Sequence, residues 1–166
     1  ADVLDVRLDE RFGRRLRGCI SRRKCGNLPY PHAAESSPFP ADATEAIDEA
    51  YCRLLAAIGA LDFDDLIVQA SRLLWDVEDV RNRVRRRFRF IFVDEFHDVS
   101  PEQYALVRLL APPGAPGVQV LAVADPDQAI YGWRDADAGA MLDRFRRDYR
   151  PTIQRLTRNF RSCADI

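Results

Sequence analysis

Phe88-Arg89-Phe90-Ile91-Phe92-Val93-Asp94-Glu95-Phe96-His97-Asp98 decides the fold, because the hydrophobic period changes inside it. Upstream, Ile47, Tyr51, Leu54, Leu55 and Ile58 recur at the spacing of a helix that opens near Thr44 and runs to about Ala60. From Phe88 the pattern becomes that of a strand. Its apolar second half predicts burial on both faces, as in a parallel sheet. Downstream, Ser100-Pro101-Glu102 opens a helix, with Ser as N-cap and Pro at the first helical position. Pro112-Pro113-Gly114 ends it. Val118 to Val123 predicts the next strand, Ala138 to Tyr149 a helix, and Thr152 to Leu156 a third strand. Strand–helix–strand–helix–strand is an open α/β sheet with crossovers.

Towards the amino terminus the pattern is helical and charged. Residues 1–24 are Arg-rich with weak helical spacing, and Gly26 to Pro40, with Pro29, Pro31, Pro38 and Pro40, reads as a loop or linker. Asp62 can cap a helix that continues through Leu66, Ile67, Ala70, Leu73 and Leu74. Arg81 to Arg87 reads as that helix's tail or as a short basic helix. With 166 residues, 47% of them hydrophobic, the chain can bury one ordinary core, with at most a small appendage. No apolar run is long enough to span a bilayer. The first twenty residues, charged and without an apolar centre, lead us to expect no signal peptide. With no initiator Met and a bare ending at Ala164-Asp165-Ile166, a fragment is expected.

Net charge is −1, yet residues 7–24, 81–89 and 144–161 are basic and 35–65 acidic, so local patches can still hold phosphate. Lys24 is the single lysine among 25 basic residues. Cys19, Cys25, Cys52 and Cys163 make no disulfide framework, which points to the reducing cytoplasm. Cys19 and Cys25 with His32 match a zinc pattern poorly.

In open α/β sheets ligands bind at the carboxyl ends of the strands. Three clusters fall there. Asp94-Glu95 suits phosphoryl transfer, one carboxylate holding Mg²⁺ and the other orienting or deprotonating water. Alone, the pair reads equally as an acidic capping turn. Asp125-Pro126-Asp127-Gln128-Ala129-Ile130-Tyr131-Gly132-Trp133-Arg134 offers Gln128 to a terminal phosphate. It also offers Tyr131, Trp133 and Arg134 to single-stranded nucleic acid, or two aromatics to the core. Arg158-Asn159-Phe160-Arg161-Ser162 places Arg161 to clamp a γ-phosphate, or merely in solvent.

Taken in order, Asp94-Glu95-Phe96-x-Asp98, Asp125 to Arg134 and Asn159-Phe160-Arg161-Ser162 resemble motifs II, III and IV of the UvrD/PcrA/Rep-like superfamily 1 DNA helicases. Leu61-Asp62-Phe63-Asp64-Asp65-Leu66-Ile67 resembles a further segment of that family, and the likeness covers residues 45–166. It implies a RecA-like open parallel sheet with flanking helices, an incomplete P-loop NTPase fold. Residues 1–58 would be the end of an inserted helical subdomain, and 59–166 the carboxyl-terminal part of the first RecA-like domain. ATP and Mg²⁺ are the implied cofactors, with Asp94 on the metal, Glu95 as catalytic base, and Gln128 and Arg161 at the γ-phosphate. Phe63, Tyr131, Trp133 and Arg134 would face single-stranded DNA.

The implied activity is ATP-driven movement along one strand, usually 3′ to 5′, with displacement of the other at duplex junctions. Repair is among the pathways such a parent could serve. The sequence departs from the family in His97 for Gln, Ala124 for Gly and Asp135 for Gly. No G-x-x-x-x-G-K-[ST] occurs, so the chain without the remainder of its parent is expected not to hydrolyse ATP. The alternative is a non-catalytic DNA-binding or regulatory remnant of the same fold. A Walker A motif encoded in frame upstream separates the two.

Three further features have plainer readings. Asp64 or Asp65 caps the first turn of a helix. His97 is a hydrogen-bonded link between motifs. The Arg81–Arg89 run either grips a DNA backbone or forms a solvated face.

Overall fold

The computed structural model describes residues 10–26, 41–128 and 138–161. The proline-rich segment expected as a loop lies almost wholly outside them. Four helices come first: α1 (Glu10–Gly26), α2 (Ala41–Ala57), α3 (Phe63–Asp76) and α4 (Glu78–Arg87). Then β1 (Phe90–Val93), α5 (Pro101–Leu110), β2 (Gln119–Ala122) and α6 (Ala138–Tyr149) alternate as the sequence predicts.

Local chemistry sets the helix ends. Asp62 accepts the backbone N–H of Asp65 while the Asp65 side chain accepts that of Asp62, a reciprocal cap at the start of α3. Ser100 and Gln103 do the same for α5, with Pro101 in the first turn. Ser100→Ala is therefore expected to cost about 1 kcal/mol in chemical denaturation. The basic run forms its own helix because the chain breaks at Val77, which is extended. Two of its arginines close neighbouring helices. Arg81 donates to the carbonyls of Leu74 (2.9 Å) and Trp75 (2.8 Å) at the end of α3. Arg85 Nε donates to Leu109 O (2.9 Å) at the end of α5. Both satisfy carbonyls that a helix terminus leaves without partners.

β1 and β2 pair in parallel, with Phe90 opposite Gln119 and Val93 opposite Ala122. The 3₁₀ turn Phe96–Asp98, α5 and α6 cover one face of the pair. Phe96, Val99, Tyr104, Met141 and Phe145 form the core there, packed against Val93, Val120 and Ala122. Phe96 meets Tyr104 edge-on at 5.9 Å and Phe145 at 5.0 Å. Tyr104 also donates to Asp148 Oδ2 (2.8 Å), tying α5 to α6.

The expected burial of β1 on both faces is corrected. Its side chains alternate, and Phe90, Phe92, Leu121 and Val123 stand out from the opposite face, Phe92 72% exposed. A continuous apolar run permits two-sided burial, but a covering layer must exist to achieve it. Among the described residues, helices pack on one side only. The third strand is corrected as well. Residues 150–160 take no regular structure, and Leu156 is 90% exposed. Strand geometry is held by a ladder partner and by burial of alternate side chains. Among the described residues, nothing joins 152–156 by backbone hydrogen bonds to either sheet edge. The result is a helix-and-strand fold with a small parallel sheet.

Candidate functional site

The chain leaves β1 through Asp94 into Glu95, whose backbone is left-handed (φ 49°, ψ 44°). A bulky L residue is rare in that region, and such outliers gather at functional sites. Three hydrogen bonds fix it. Asp94 Oδ1 accepts Glu95 N–H (3.0 Å), Phe96 N–H donates to Val123 O (2.8 Å), and Asp98 N–H donates to Glu95 O (2.9 Å). The buried Phe96 anchors the turn, so Asp94 and Glu95 are held at the sheet's carboxyl end with both side chains exposed.

β2 leads to the neighbouring cluster. Asp125 Oδ1 accepts Asp127 N–H (3.1 Å), and Oδ2 accepts the amide of Gln128 (2.5 Å). Gln128 is thereby presented on a short 3₁₀ turn, Pro126–Gln128.

His97 joins the two clusters. Only 3% exposed, it accepts the backbone N–H of Asp125 at Nδ1 (3.1 Å). A backbone N–H can only donate, so Nδ1 carries no proton and Nε2 does. Nε2 lies 3.4 Å from Glu95 Oε2. The linking role read from the sequence is what this geometry provides: one buried ring contacts both Glu95 and Asp125.

A divalent cation can be tested against the donors present. Asp94 has one carboxylate oxygen beyond its bond to Glu95, and Asp98 Oδ1 is buried without a hydrogen-bond partner among the described residues. No group of three or more His, Cys, Asp or Glu converges as a metal cage among them. One or two carboxylates with room for water and phosphate is the habit of Mg²⁺, so the residues fit it.

Not every expected residue is brought together. Arg161 is exposed, and its backbone N–H donates to Asn159 Oδ1 (2.8 Å). No ion pair or hydrogen bond joins its side chain to the carboxylates among the described residues. Tyr131, Trp133 and Arg134 lie outside the described residues. Phe63 is the first residue of α3 and is 87% exposed. Such a ring on a capped helix start is available for stacking.

Sequence reasoning missed what holds Phe63 in place. Lys24, 7% exposed, reaches Asp62 Oδ2 and Asp65 Oδ1, both at 2.8 Å. Tyr51 donates to the same Asp62 oxygen (2.9 Å), and the ammonium lies 4.8 Å from the Tyr51 ring centre. Burial alone would lower the Lys24 pKa, yet hydrogen bonds to the two carboxylates outweigh it and the net shift is upward. Burial likewise pushes Asp62 up, but Lys24, the Asp65 backbone and Tyr51 bring it below the ordinary carboxylate value. One signal was available. In a chain where 24 of 25 basic residues are Arg, the remaining lysine sits where a compact ammonium fits and a broad fork does not. Asp65 is structural, as expected. The neighbouring Cys25 thiol is pushed up to about 12, chiefly by burial, and is an inert packing residue.

The UvrD/REP helicase N-terminal domain family matches residues 4–150. The ATP-dependent DNA helicase UvrD1 of Mycobacterium tuberculosis is 38% identical over 174 residues, 98% of this chain and 22% of the relative. DNA helicase II of Salmonella typhimurium is 39% identical over 139 residues, 82% of this chain and 19% of its own. The ATP-dependent DNA helicase PcrA of Staphylococcus aureus is 37% identical over 153 residues, 90% of this chain and 20% of its own. The chain thus spans about a fifth of the length of these curated relatives. No helix among the described residues is long and apolar enough to cross a membrane.

Proposed function

The chain belongs to the UvrD/REP helicase N-terminal domain family, and on that premise we propose that it is part of an ATP-dependent DNA helicase. The observation that carries this is the joining of Asp94, Glu95, Asp125 and Gln128 through His97 at the carboxyl ends of two parallel strands. The fold of the parent is RecA-like, with residues 1–58 the end of an inserted helical subdomain and 59–166 part of the first ATPase domain. Asp94 would hold Mg²⁺, whose charge offsets that developing on the transferred phosphoryl group. Glu95 takes the proton of the attacking water, its turn held by Phe96 and by the contact to His97. Gln128, braced by Asp125, faces the γ-phosphate, and Arg161 joins it there. Work passes to DNA because Phe63, Tyr131, Trp133 and Arg134 stack on or pair with single-stranded DNA. Stepping is 3′ to 5′, with opening of duplex junctions, in the cytoplasm.

The chain by itself, with no phosphate-cradling loop of its own, does not hydrolyse ATP. A full-length parent does so when single-stranded DNA is added. DNA-stimulated turnover by the pure 166-residue chain would contradict the assignment of parts.

A base stacked on an aromatic ring is worth roughly 1–3 kcal/mol. Trp133→Ala in the parent is expected to weaken single-strand binding roughly ten- to hundred-fold and to uncouple hydrolysis from DNA. Phe63→Ala should weaken binding too, with no loss of stability, since its ring is in solvent. Measuring thermal unfolding and DNA affinity together decides the matter. A large fall in melting temperature with affinity unchanged would place Trp133 in the core instead.

A further inference from the structure

The two ends of the sheet are chemically different. Asp94, Glu95, Asp125 and Gln128 follow the strands, whereas Arg89 and Val118 precede them. Because β1 and β2 run parallel in register, those groups lie at opposite ends, with Arg89 and Asp94 about 16 Å apart along the strand direction. At the amino-terminal end is a pocket of about 390 Å³, lined by Asn82, Arg85, Arg86 and Arg89 on one side and by Ala115 and Gly117 of the α5–β2 loop on the other. Gly117 has φ +87°, a left-handed conformation that glycine adopts without strain where the loop turns into β2.

Three guanidiniums in one pocket repel one another unless something offsets them. Arg85 uses its Nε on Leu109 O, and its pKa is lowered by burial and by the nearby Arg81 charge, with no carboxylate to oppose them. Arg86 and Arg89 donate to no carbonyl and pair with no carboxylate among the described residues. Closing helix termini accounts for Arg81 and Arg85 and leaves these two over. Asn82 spends one amide hydrogen on Glu78 Oε1 (3.4 Å), and the charged donors open to a ligand are guanidiniums. Their planar forks match phosphate oxygens.

We propose that this pocket is a second DNA-backbone site, in which Arg86 and Arg89 hold a phosphodiester at the amino-terminal end of the sheet, apart from the carboxylate cluster. The site rests on reading the parent as acting on DNA. It reads no sequence, and it gives the Arg81–Arg89 run a division of labour: Arg81 and Arg85 build, Arg86 and Arg89 bind.

The test is fluorescence anisotropy with a labelled twenty-nucleotide oligothymidylate, titrated with the 166-residue chain over a range of salt. The double variant R86A/R89A is expected to bind roughly tenfold more weakly, with the slope of log affinity on log salt reduced by about 1.4 for two lost phosphate contacts. Both residues are exposed, so the unfolding temperature should hold. R86K/R89K, which keeps the charge and loses the planar forks, should recover the salt slope and only part of the affinity. Unchanged affinity and slope in R86A/R89A overturns the site. If W133A weakens binding in the same assay while R86A/R89A does not, only the pocket assignment falls; if neither does, the DNA reading falls with it. A polyglutamate of matched charge that binds the native chain more tightly than the oligonucleotide, and is lost in R86A/R89A, would make the pocket a dock for acidic protein and overturn the proposal.

Discussion

Glu95→Gln in the full-length parent is expected to bind ATP as the native enzyme does and to hydrolyse it roughly 10²- to 10⁴-fold more slowly, with or without DNA. On the proposed role of Glu95, the substitution removes the base and keeps its shape. The amide has the carboxylate's size, and its oxygen can still face His97 Nε2, 3.4 Å from Glu95 Oε2 in the native turn. The left-handed backbone is held by contacts that do not involve the side chain, from Phe96 N–H to Val123 O and from Asp98 N–H to Glu95 O. Binding and chemistry should therefore separate cleanly. Single-turnover hydrolysis and equilibrium nucleotide binding measure the two halves. Hydrolysis near the native rate would remove Glu95 from the mechanism.

Lys24→Met should destabilise the chain by about 3–5 kcal/mol, because removing one partner of a buried ion pair leaves the other uncompensated. Here two carboxylates are left, those of Asp62 and Asp65, each 2.8 Å from the lost ammonium. For a chain of this size that corresponds to a fall of roughly 10 °C in melting temperature. The pH dependence follows from the directions of shift. Asp62 is lowered in the folded state, so its contribution is present above its unfolded value near 3.8 and fades as pH falls through the folded one. Lys24 is raised, so its contribution is complete below 10.5 and is lost only as pH climbs through the higher folded value. Native stability should be level across the neutral range and drop at acid pH. The variant should lose much of that acid-side drop. Lys24→Arg is not expected to rescue, since a planar fork does not reproduce a compact ammonium between two carboxylates. Thermal unfolding at pH 7 and pH 3 checks both statements, and an unchanged melting temperature at pH 7 would refute the clamp. The clamp also fixes the start of α3, so on the proposed role of Phe63 single-strand binding should weaken with it.

Much of this was written locally in the chain. The caps at Asp62 and Ser100 each lie within four consecutive residues, and both residues cap their helices as read. β1 was legible because its period differs from that of the helices before it. The parts that escaped depend on residues far apart in sequence. Lys24 meets its partners 38 and 41 positions away, and Tyr104 meets Asp148 across 44. No window of sequence contains such a pair. The bare face of Phe90 and Phe92, and the unpaired stretch at Thr152 to Leu156, escaped for a related reason. An apolar run records what a strand can bury, and what covers it belongs to other segments. At the candidate site, the carboxylates and Gln128 were legible as a motif. His97 was legible as a link between motifs, but which atoms it joins, Glu95 Oε2 and the Asp125 N–H, needed the fold.

The left-handed turn at Glu95 has an evolutionary side. A side chain there costs about 1–2 kcal/mol that glycine would not. Selection for a sturdier fold and selection for hydrolysis therefore pull position 95 towards different residues. On the proposed role of Glu95, catalysis is what would keep an acid in a place where the backbone favours none. A descendant that retained the fold and no longer turned over ATP would be free to drift to glycine there, and would gain stability by doing so.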